Sequence, residues 1–504
     1  MPSAFSVLSG FGVRYAPESR TQKGAEATED TENSFIFPLR LCVSVVILGL
    51  SAPLLSAQQP PRVPPDSRIL ETRYDLAYPW WDASRGMPLP ASKAFGDPSG
   101  QLRLLNTSGA VETNGHPFFT PLGSNGRACI TCHQPTSAMS LSLDLIRLRW
   151  ADSRGKDPLF AAIDGSNCPN LPQENEESHS LLLERGLFRI ALPWPPVTAS
   201  GQLVKPDFRI EVVRNPTGCN QTSATISVYR RPRVAANLKY SALPTGVALM
   251  ADGREPTLQS QTITAALIHE QASAAPTAAQ LKQIEDFERQ LFMAQHSDNF
   301  GGLLGEPGGP PLLGADNLAS GVSSTGALPA AGNLVASFDP WRNLSAPSLA
   351  IRQRAFRESV LRGVDLFASR EFRLADGAPV TCATCHRPGI NRSFDIGTTN
   401  LPAAKESPEL PVFRITCDAS APPHPQLGRT FLTQDPGRAF VTGKCADAGS
   451  ILMQQFRGLT ARAPYFANGS AADLAELVDF YDRRFKIGLT LKEKQDLVNF
   501  LSIL

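Results

Sequence analysis

The sequence predicts a mainly α-helical protein of two similar halves, with a small β insertion in the first half. Two observations support this fold class. Apolar residues recur at helical spacing in three separate segments, and a short motif of two cysteines and a histidine occurs once in each half. A two-residue alternation typical of strands is found within residues 187–230. At 504 residues, the chain is long enough for two or three domains.

Three amphipathic segments carry the helical prediction. Residues 281–291 place four apolar side chains on one helical face, and residues 356–367 show the same spacing. At the C-terminus, Thr490 and Glu493 form a capping box before an apolar stripe over residues 497–504. We expect the apolar face of each helix to pack against a core.

The remaining segments differ in composition. Alternation in Leu187–Leu192, Asp207–Val213 and Ala224–Arg230 predicts a small β hairpin or sheet. Residues 58–112 form an N-terminal extension that is predicted to be mostly irregular, with its aromatic run "YPWW" packed against the first domain. Residues 300–343 are rich in Gly, Pro, Ala and Ser, which predicts a loop or linker rather than a packed element.

Residues 1–57 have the pattern of a signal-peptide region. Arg40 precedes an apolar run from Leu41 to Leu55, which is short for a membrane span, and small residues follow up to Ala57. We expect cleavage near Ala57 and export, the alternative being an uncleaved anchor. No later segment is predicted to cross or contact a membrane. The net charge of +1 provides no basic field for a nucleic-acid partner.

Nine cysteines must be placed in a compartment where disulfides persist. Cys42 lies in the signal region, and four others belong to the repeated motif. The remaining four form one pair after each motif, so we expect the disulfides Cys168–Cys219 and Cys417–Cys445, the alternative being free buried thiols.

The repeated motif reads "CITCH" in residues 129–133 and "CATCH" in residues 382–386. This is the attachment pattern of a c-type haem: two thiols form thioethers with the vinyl groups, and the histidine becomes the proximal iron ligand. Zinc would need a second Cys/His pair at ligand spacing, and thiol redox chemistry would need a βαβ context. The sequence therefore predicts two covalently attached haems. Their ligands and attachment points are Cys129, Cys132, His133, Cys382, Cys385 and His386.

A helix, a haem loop and a closing helix follow one another in both halves, which is the plan of cytochrome c. We therefore predict one cytochrome c-like domain over residues 113–299, including the β insertion, and a second over residues 344–504.

Four further stretches carry a family resemblance: "LGSNGRACITCHQP", "RRPRVAANL", "ADGREPTLQSQ" and "FRGLTARAPYFANGSAADLAELVDFYDR". With these, the chain resembles the bacterial di-haem cytochrome c peroxidase superfamily, which includes the di-haem oxidases that mature tryptophan-derived quinone cofactors. The resemblance covers about residues 115–295 and 356–504. It implies that the His386 haem receives electrons and that the His133 haem meets peroxide. Relatives hold calcium between their domains, so Ca²⁺ is a further candidate cofactor whose ligands we do not assign.

The chain departs from that family at two positions. Ala251 stands where relatives have a tryptophan between the haems, and Ala467 stands where relatives often have a histidine. For the second haem, the family's peroxidases have a methionine as distal ligand and its quinone-forming oxidases have a tyrosine. Tyr481, on the buried face of a predicted helix, is the candidate here, and Met453 is its rival.

Candidates around the first haem are fewer. His269 follows the Asp-Gly-Arg stretch and is a candidate distal ligand or acid/base residue, the alternative being a structural histidine. Its neighbour Glu270 is a candidate catalytic base for peroxide cleavage. Met139 is a weaker ligand candidate, and Arg254 is a candidate partner of a haem propionate. The remaining histidines are predicted to be surface or loop residues; these are His116, His179, His296 and His424.

The predicted function is that of an exported, periplasmic di-haem oxidoreductase. It would reduce hydrogen peroxide with electrons from a small donor protein, either a cytochrome c or a cupredoxin. One alternative is oxidation of another substrate, which Tyr481 ligation would favour. Another is an electron carrier in which both irons are six-coordinate and peroxide is not turned over.

Overall fold

The computed structural model gives a mixed α/β fold. It describes residues 80–82, 86–198, 200–219, 224–241, 249–320, 331–342, 349–374, 377–386, 394–396 and 407–504. The predicted signal region and its cleavage site lie outside the described residues. Helices account for 35% of the structure and strands for 19%, so the prediction of a mainly α fold is wrong. The difference comes from short strands outside residues 187–230, some of which pair with a neighbouring strand and others with a distant part of the chain.

The strands form several small antiparallel sheets. Their orders are β1-β2-β6-β7, β12-β11-β4, β3-β5, β8-β9 and β10-β13. The bounds are β1 Ser92–Asp97, β2 Gly100–Asn106, β3 Phe188–Pro193, β4 Phe208–Arg214, β5 Thr225–Arg230, β6 Leu291–Asp298, β7 Gly302–Leu303, β8 Phe372–Arg373, β9 Pro379–Val380, β10 Phe394–Ile396, β11 Val412–Cys417, β12 Thr430–Thr433 and β13 Ser450–Leu452.

The helices are mostly short, and the long ones lie where the sequence predicts them. Their bounds are α1 Cys129–Cys132, α2 Leu143–Ser153, α3 Ser180–Arg185, α4 Leu238–Ser241, α5 Leu258–Ile268, α6 Ala278–Gln290, α7 Ala315–Ala319, α8 Ala331–Ala336, α9 Asp339–Arg342, α10 Ile351–Ser369, α11 Cys382–Cys385, α12 Ala439–Thr442, α13 Leu474–Phe485 and α14 Leu491–Ser502.

The three predicted amphipathic helices are confirmed as α6, α10 and α14. The capping box of α14 is present, with Thr490 accepting a hydrogen bond from the backbone of Glu493. Helix α6 ends at Gln290, and Leu291 begins strand β6 rather than a further helical turn. Of the four apolar side chains that were predicted to share one helical face, three therefore lie on α6 and the fourth lies on the first residue of β6.

Helices α10 and α14 pack so closely that one contact admits only glycine. A Cβ atom at Gly363 would lie 2.1 Å from the backbone carbonyl oxygen of Asp496. Glycine removes this conflict, and the two helices approach with Phe500 packed beside the contact. This pair forms the centre of the apolar core around the second motif, to which Ala383 also belongs.

The N-terminal extension contributes two paired strands. Strand β2 lies between β1 and β6, with Leu102 opposite Gln295, so the prediction that residues 58–112 are mostly irregular is wrong for β1 and β2. The predicted packing of the aromatic run is confirmed for its described part. Trp81 is buried in the apolar core around the first motif, and its backbone N–H donates to Gln134 at 2.7 Å.

The predicted β insertion is confirmed for two of its three strands, which form a small sheet, but the third strand pairs outside the insertion. Strands β3 and β5 pair with each other, but β4 pairs with β11 of the second half, where Ile210 lies opposite Ile415. The alternation of apolar and polar residues predicts that a segment is a strand. It does not predict which strand it pairs with, and here the pairing strand lies about 200 residues away. The insertion therefore joins the two halves.

Residues 300–343 are not an unpacked linker. Their described part contains three short helices, and the side chains of Leu304, Leu313, Leu334 and Phe338 are fully buried in the core of the second half. The prediction was wrong because it relied on the high content of Gly and Pro. The few apolar residues of this segment are the ones that pack in the core. The domain boundaries at residues 112, 299 and 343 stay predictions.

Both predicted disulfides are confirmed, Cys168–Cys219 and Cys417–Cys445. The four motif cysteines are not joined in disulfides. Within the residues described, no helix combines the length and apolar character that a membrane span requires.

Candidate functional site

The two cysteine–histidine motifs fold into the same short turn. Helix α1 begins after Ala128, which has φ −126° and ψ 168°, and helix α11 begins after Thr381, with φ −120° and ψ 171°. In each turn the backbone N–H of the histidine donates to the carbonyl of the first cysteine, at 3.1 Å for His133 and 3.0 Å for His386. The same local sequence thus produces the same local backbone in two different surroundings.

Each motif lines a cavity of about 230 Å³. We call them the first and the second cavity. A single water needs roughly 10–15 Å³ on a comparable measure, so each space is suited to a larger group. Both cysteines and the histidine of a motif lie in the wall of its own cavity. Two thiols and an imidazole at one wall are the groups that a covalently attached porphyrin requires, and in this respect the residues fit haem c.

His133 is oriented by a backbone contact. Its Nδ1 atom lies 3.0 Å from the carbonyl oxygen of Met139. A carbonyl can only accept, so Nδ1 carries the proton and Nε2 keeps its lone pair. Burial also lowers the pKa of His133, which keeps the ring neutral. This is the arrangement expected of a metal-ligating histidine, whose second nitrogen is held by a partner outside the metal site.

The predicted role of Met139 as a weaker ligand is not supported by its position. Its side chain is fully buried in the core around the first motif and is absent from the walls of both cavities. What Met139 provides is its backbone carbonyl.

His386 is buried in an aromatic environment. Burial lowers the pKa of His386 to about 4, so the ring is neutral at physiological pH. The ring of Phe456 lies 4.6 Å from that of His386, and the ring of Phe367 lies 6.0 Å away. A neutral, desolvated imidazole is the form that binds iron.

The motif thiols are poorly suited to redox exchange. Burial raises the pKa of Cys132 and of Cys382 to about 12, and the pKa of Cys129 is raised well above its usual value by burial and by nearby Glu270. Reactive cysteines have lowered pKa values, because the thiolate is the nucleophile. In the described part of the chain, no three His, Cys, Asp or Glu side chains come together as a metal site.

His269 lines the first cavity, and its Nδ1 atom is fixed by a hydrogen bond to Asp164. Its Nδ1 atom lies 2.5 Å from a carboxylate oxygen of Asp164, and Asp164 also forms a buried ion pair with Arg127. The carboxylate accepts the Nδ1 proton, so Nε2 has its lone pair available. This arrangement serves a distal ligand and an acid/base residue equally well. The sequence analysis did not identify Asp164, since nothing in its local sequence connects it with a histidine 105 residues away.

Glu270 is buried in the wall of the first cavity beside the motif. One carboxyl oxygen accepts from the backbone N–H of Leu122 at 2.9 Å, and the other lies 3.5 Å from the Cys129 sulfur. Burial raises the pKa of Glu270 to about 7. A carboxyl group that titrates near neutral pH is suited to exchanging a proton with a substrate.

Glu288 is a second buried carboxyl group in the same wall, and the sequence analysis did not identify it. It lies on α6, and among the described residues its Oε2 atom has no hydrogen-bond partner. Burial raises the pKa of Glu288 to about 8. The sequence contains little indication of this burial, because Glu288 is one of several charged residues on α6. The only indication was that it follows the apolar Phe287.

The second cavity has an aromatic wall on helix α13. Tyr481 lines this cavity, and its ring lies 6.3 Å from the ring of His386 at an interplanar angle of 85°. The ring also stacks on Phe485, with centroids 6.0 Å apart. Asp473 caps α13 by accepting from the backbone of Glu476. The structure therefore brings Tyr481 to the cavity of His386, as the sequence predicts, while its ligation stays a prediction.

Met453 lies at both cavities rather than at the second alone. It belongs to a segment, residues 452–455, that lines the first and the second cavity together with Arg231, Pro232 and Arg233. We call residues 231–233 and 452–455 the dividing wall. The backbone N–H of Leu452 donates to the carbonyl of Ala251 at 2.8 Å, so Ala251 adjoins this wall.

Arg254 also lines the first cavity, but its charge is already neutralised. Its guanidinium lies 2.7 Å from Asp252, which also binds Arg230 at 2.6 Å. A propionate at Arg254, the candidate partner predicted from the sequence, would therefore compete with Asp252 for this guanidinium.

Two of the four remaining histidines are not surface residues. His179 and His424 are buried, with 0% and 2% of their surface exposed. His179 is held between the carbonyls of Gly165 and Gln173, and His424 accepts backbone N–H groups in its own turn. Both are structural.

Comparisons with known proteins add no assignment: no family model matches the chain, and no curated protein is significantly similar to it.

Proposed function

We propose that the protein is an exported di-haem c oxidoreductase that reduces hydrogen peroxide with electrons from a small cytochrome c or cupredoxin. The observation that carries this proposal is the pair of equal cavities, each with the same two thiols and a neutral imidazole in its wall. The resemblance to the di-haem cytochrome c peroxidase superfamily supports the assignment of peroxide as substrate.

The residues of the first cavity fit the peroxide-reducing site. His133 would hold the iron through Nε2, because Met139 fixes its Nδ1 proton. The bound haem would supply the two electrons that convert H₂O₂ and two protons into two waters. Glu270, with its raised pKa, would accept a proton from one peroxide oxygen and deliver it to the other as the O–O bond breaks. His269 Nε2, held by Asp164, is a second group able to move protons.

The second cavity fits the site that receives electrons. His386 would be the proximal ligand, and the surrounding Phe367, Phe456 and Phe485 exclude water. Apart from the arginines of its wall, the second cavity is lined mainly by aromatic and aliphatic side chains, most of which have no proton to exchange with a substrate.

One observation favours a second function, the oxidation of another substrate. Tyr481 lines the second cavity close to His386, and a tyrosine ligand stabilises ferric iron. If it ligates iron, Tyr481→Phe changes the spectrum of the second haem only. An unchanged spectrum would remove this candidate.

The test of the main proposal begins with the purified exported protein. Its mass should exceed that of the polypeptide by two haems, and low-temperature electron paramagnetic resonance should report the ligands of both irons. Mixing the reduced protein with peroxide should give rapid oxidation and turnover. Two six-coordinate irons and no reaction would instead identify an electron carrier, and a protein without haem would refute the proposal.

A further inference from the structure

The dividing wall is unusually rich in buried positive charge. Arg231 and Arg233 line both cavities, and Arg462 lines the second. Arg231 and Arg462 expose only 5% and 7% of their surface. Burial and the charge of Arg462 lower the pKa of Arg231 to about 9 and that of Arg233 to about 10, and burial lowers the pKa of Arg462 to about 10. These guanidiniums thus lie close enough to one another to repel.

Their partners are neutral oxygens. Arg233 donates to the carbonyls of Leu452 and Met453, at 2.8 and 2.9 Å. Arg231 donates to the carbonyl of Arg462 at 3.0 Å and to those of Gly186 and Leu141. Arg462 donates to backbone carbonyls and to the side-chain oxygen of Gln454; the carbonyls belong to Arg457 and Gln455. In the part of the chain that the structure describes, none of the three forms an ion pair with a carboxylate.

Three other arginines in the first cavity behave differently. Arg127 is paired with Asp164, and both Arg230 and Arg254 are paired with Asp252. Asp252 also attracts Arg233 weakly, but its Oδ2 atom already accepts from the guanidiniums of Arg230 and Arg254, and its Oδ1 atom accepts from the backbone N–H of Arg254. The positive charge without a counter-ion is therefore concentrated at the dividing wall.

A buried charge without a counter-ion is costly, so an anionic group is expected beside it. A haem attached through its vinyl edge carries two carboxylates at the opposite edge. Guanidinium is the best partner for a carboxylate in a buried site, because its N–H groups form two parallel hydrogen bonds. Arg233 uses two donors for the carbonyls of the wall and keeps others, since a guanidinium has five.

We propose that the dividing wall is a carboxylate-binding site shared by the two cofactors: Arg231 and Arg233 bind propionates from both cavities, and Arg462 binds one from the second cavity. This inference rests on the proposed function. It places the two cofactors with their acidic edges toward each other, across one layer of chain. It also assigns a common electrostatic control to both irons, because a cation close to a haem disfavours the more positively charged ferric state.

The experiment is a measurement of the reduction potentials of both haems in the two-haem protein. Arg233→Gln should lower both potentials together, and Arg233→Lys, which keeps the charge, should lower them much less. Arg462→Gln should lower the potential of the second haem alone. Arg414→Gln removes an equal charge from an exposed pair with Glu211 and should change neither potential.

Four outcomes would overturn the inference. In a protein with both haems, potentials unchanged in Arg233→Gln refute a shared site, and so does a shift of only one potential. If Arg233→Gln does not accumulate with two haems, the test is made with Arg462→Gln. An unchanged potential of the second haem in that variant refutes carboxylate binding at the dividing wall. A protein of bare polypeptide mass refutes the proposed function and the inference together, whereas unchanged potentials in a two-haem protein refute the inference alone.

Discussion

The first and second cavities contain the same type of five-residue motif and share the dividing wall, but the rest of their linings differ. The first has titratable walls, with His269, Glu270 and Glu288 at its surface. The second is lined by aromatic rings and by the aliphatic side chains of α13 and α14. A cofactor in the first cavity would have titratable side chains beside it, whereas one in the second would be surrounded mainly by aromatic and aliphatic side chains, apart from the arginines of the wall. The comparison teaches that one short motif produces the same local turn twice, whereas the surrounding walls give each cavity its own chemistry.

The largest expected effect comes from removing one attachment site at a time. Replacing Cys129 and Cys132 with serine should remove one haem from the mass and abolish the reaction with peroxide. Replacing Cys382 and Cys385 should remove the other haem and abolish turnover with a donor protein, while added peroxide still changes the spectrum of the remaining haem. Mass spectrometry and rapid mixing measure both effects. If the second pair alone abolished the peroxide-dependent change, the roles of the two cavities would have to be exchanged.

A smaller effect is expected from the carboxyl group beside the first motif. Glu270→Gln should slow the reaction with peroxide by roughly 10²–10⁴-fold, the usual contribution of a positioned proton-transfer group. Stopped-flow mixing measures the rate. Glu211→Gln, an exposed change on β4, is the matched control and should leave the rate unaltered. An equal rate in both variants would remove Glu270 from the mechanism.

Stability should depend on pH through the first cavity. Burial raises the pKa of Glu288 to about 8, so the folded protein holds this proton more tightly than the unfolded chain. Its contribution to stability is complete below about pH 4.5 and is lost as the pH rises through 8, at no more than about 1.4 kcal/mol per pH unit. Glu288→Gln should therefore flatten the fall in unfolding free energy between pH 5 and pH 8. Denaturant titration at both pH values tests this, and a slope as steep as that of the parent protein would contradict it.

The smallest effect concerns the support of the second cavity. Gly363→Ala would force α10 away from the Asp496 carbonyl and should lower the unfolding free energy by about 1–3 kcal/mol. Gly332→Ala, on α8, meets no atom within 4 Å and should raise the unfolding free energy by up to about 1 kcal/mol. Because α14 lines only the second cavity, the spectral change in Gly363→Ala should be confined to the second haem. Equal stabilities of the two variants would refute the packing argument.

Several features of the site could be predicted because they depend on neighbours in the chain. Both motif turns, the capping box at Thr490 and the two disulfide pairs follow from short spacings or from pairing by elimination. The position of Tyr481 at the second cavity followed from helical periodicity, since one buried face of α13 points to the core.

Other features could not be predicted, because they join distant segments. Strand β4 looks like part of a local hairpin, yet its partner is β11. Asp164 supports His269 across 105 residues. The run of arginines at 230–233 was visible, but only the structure distinguishes Arg230, which has two aspartate partners, from Arg233, which donates to carbonyls.

The sequence by itself determined the two motif turns, because a thiol pair and a histidine within five residues need only one turn of backbone. Tertiary structure alone decided what surrounds each attachment point. Burial, ion pairs and long-range strand pairing depend on residues brought together from all parts of the chain, and these place carboxyl groups around one motif, aromatic rings around the other and arginines between them.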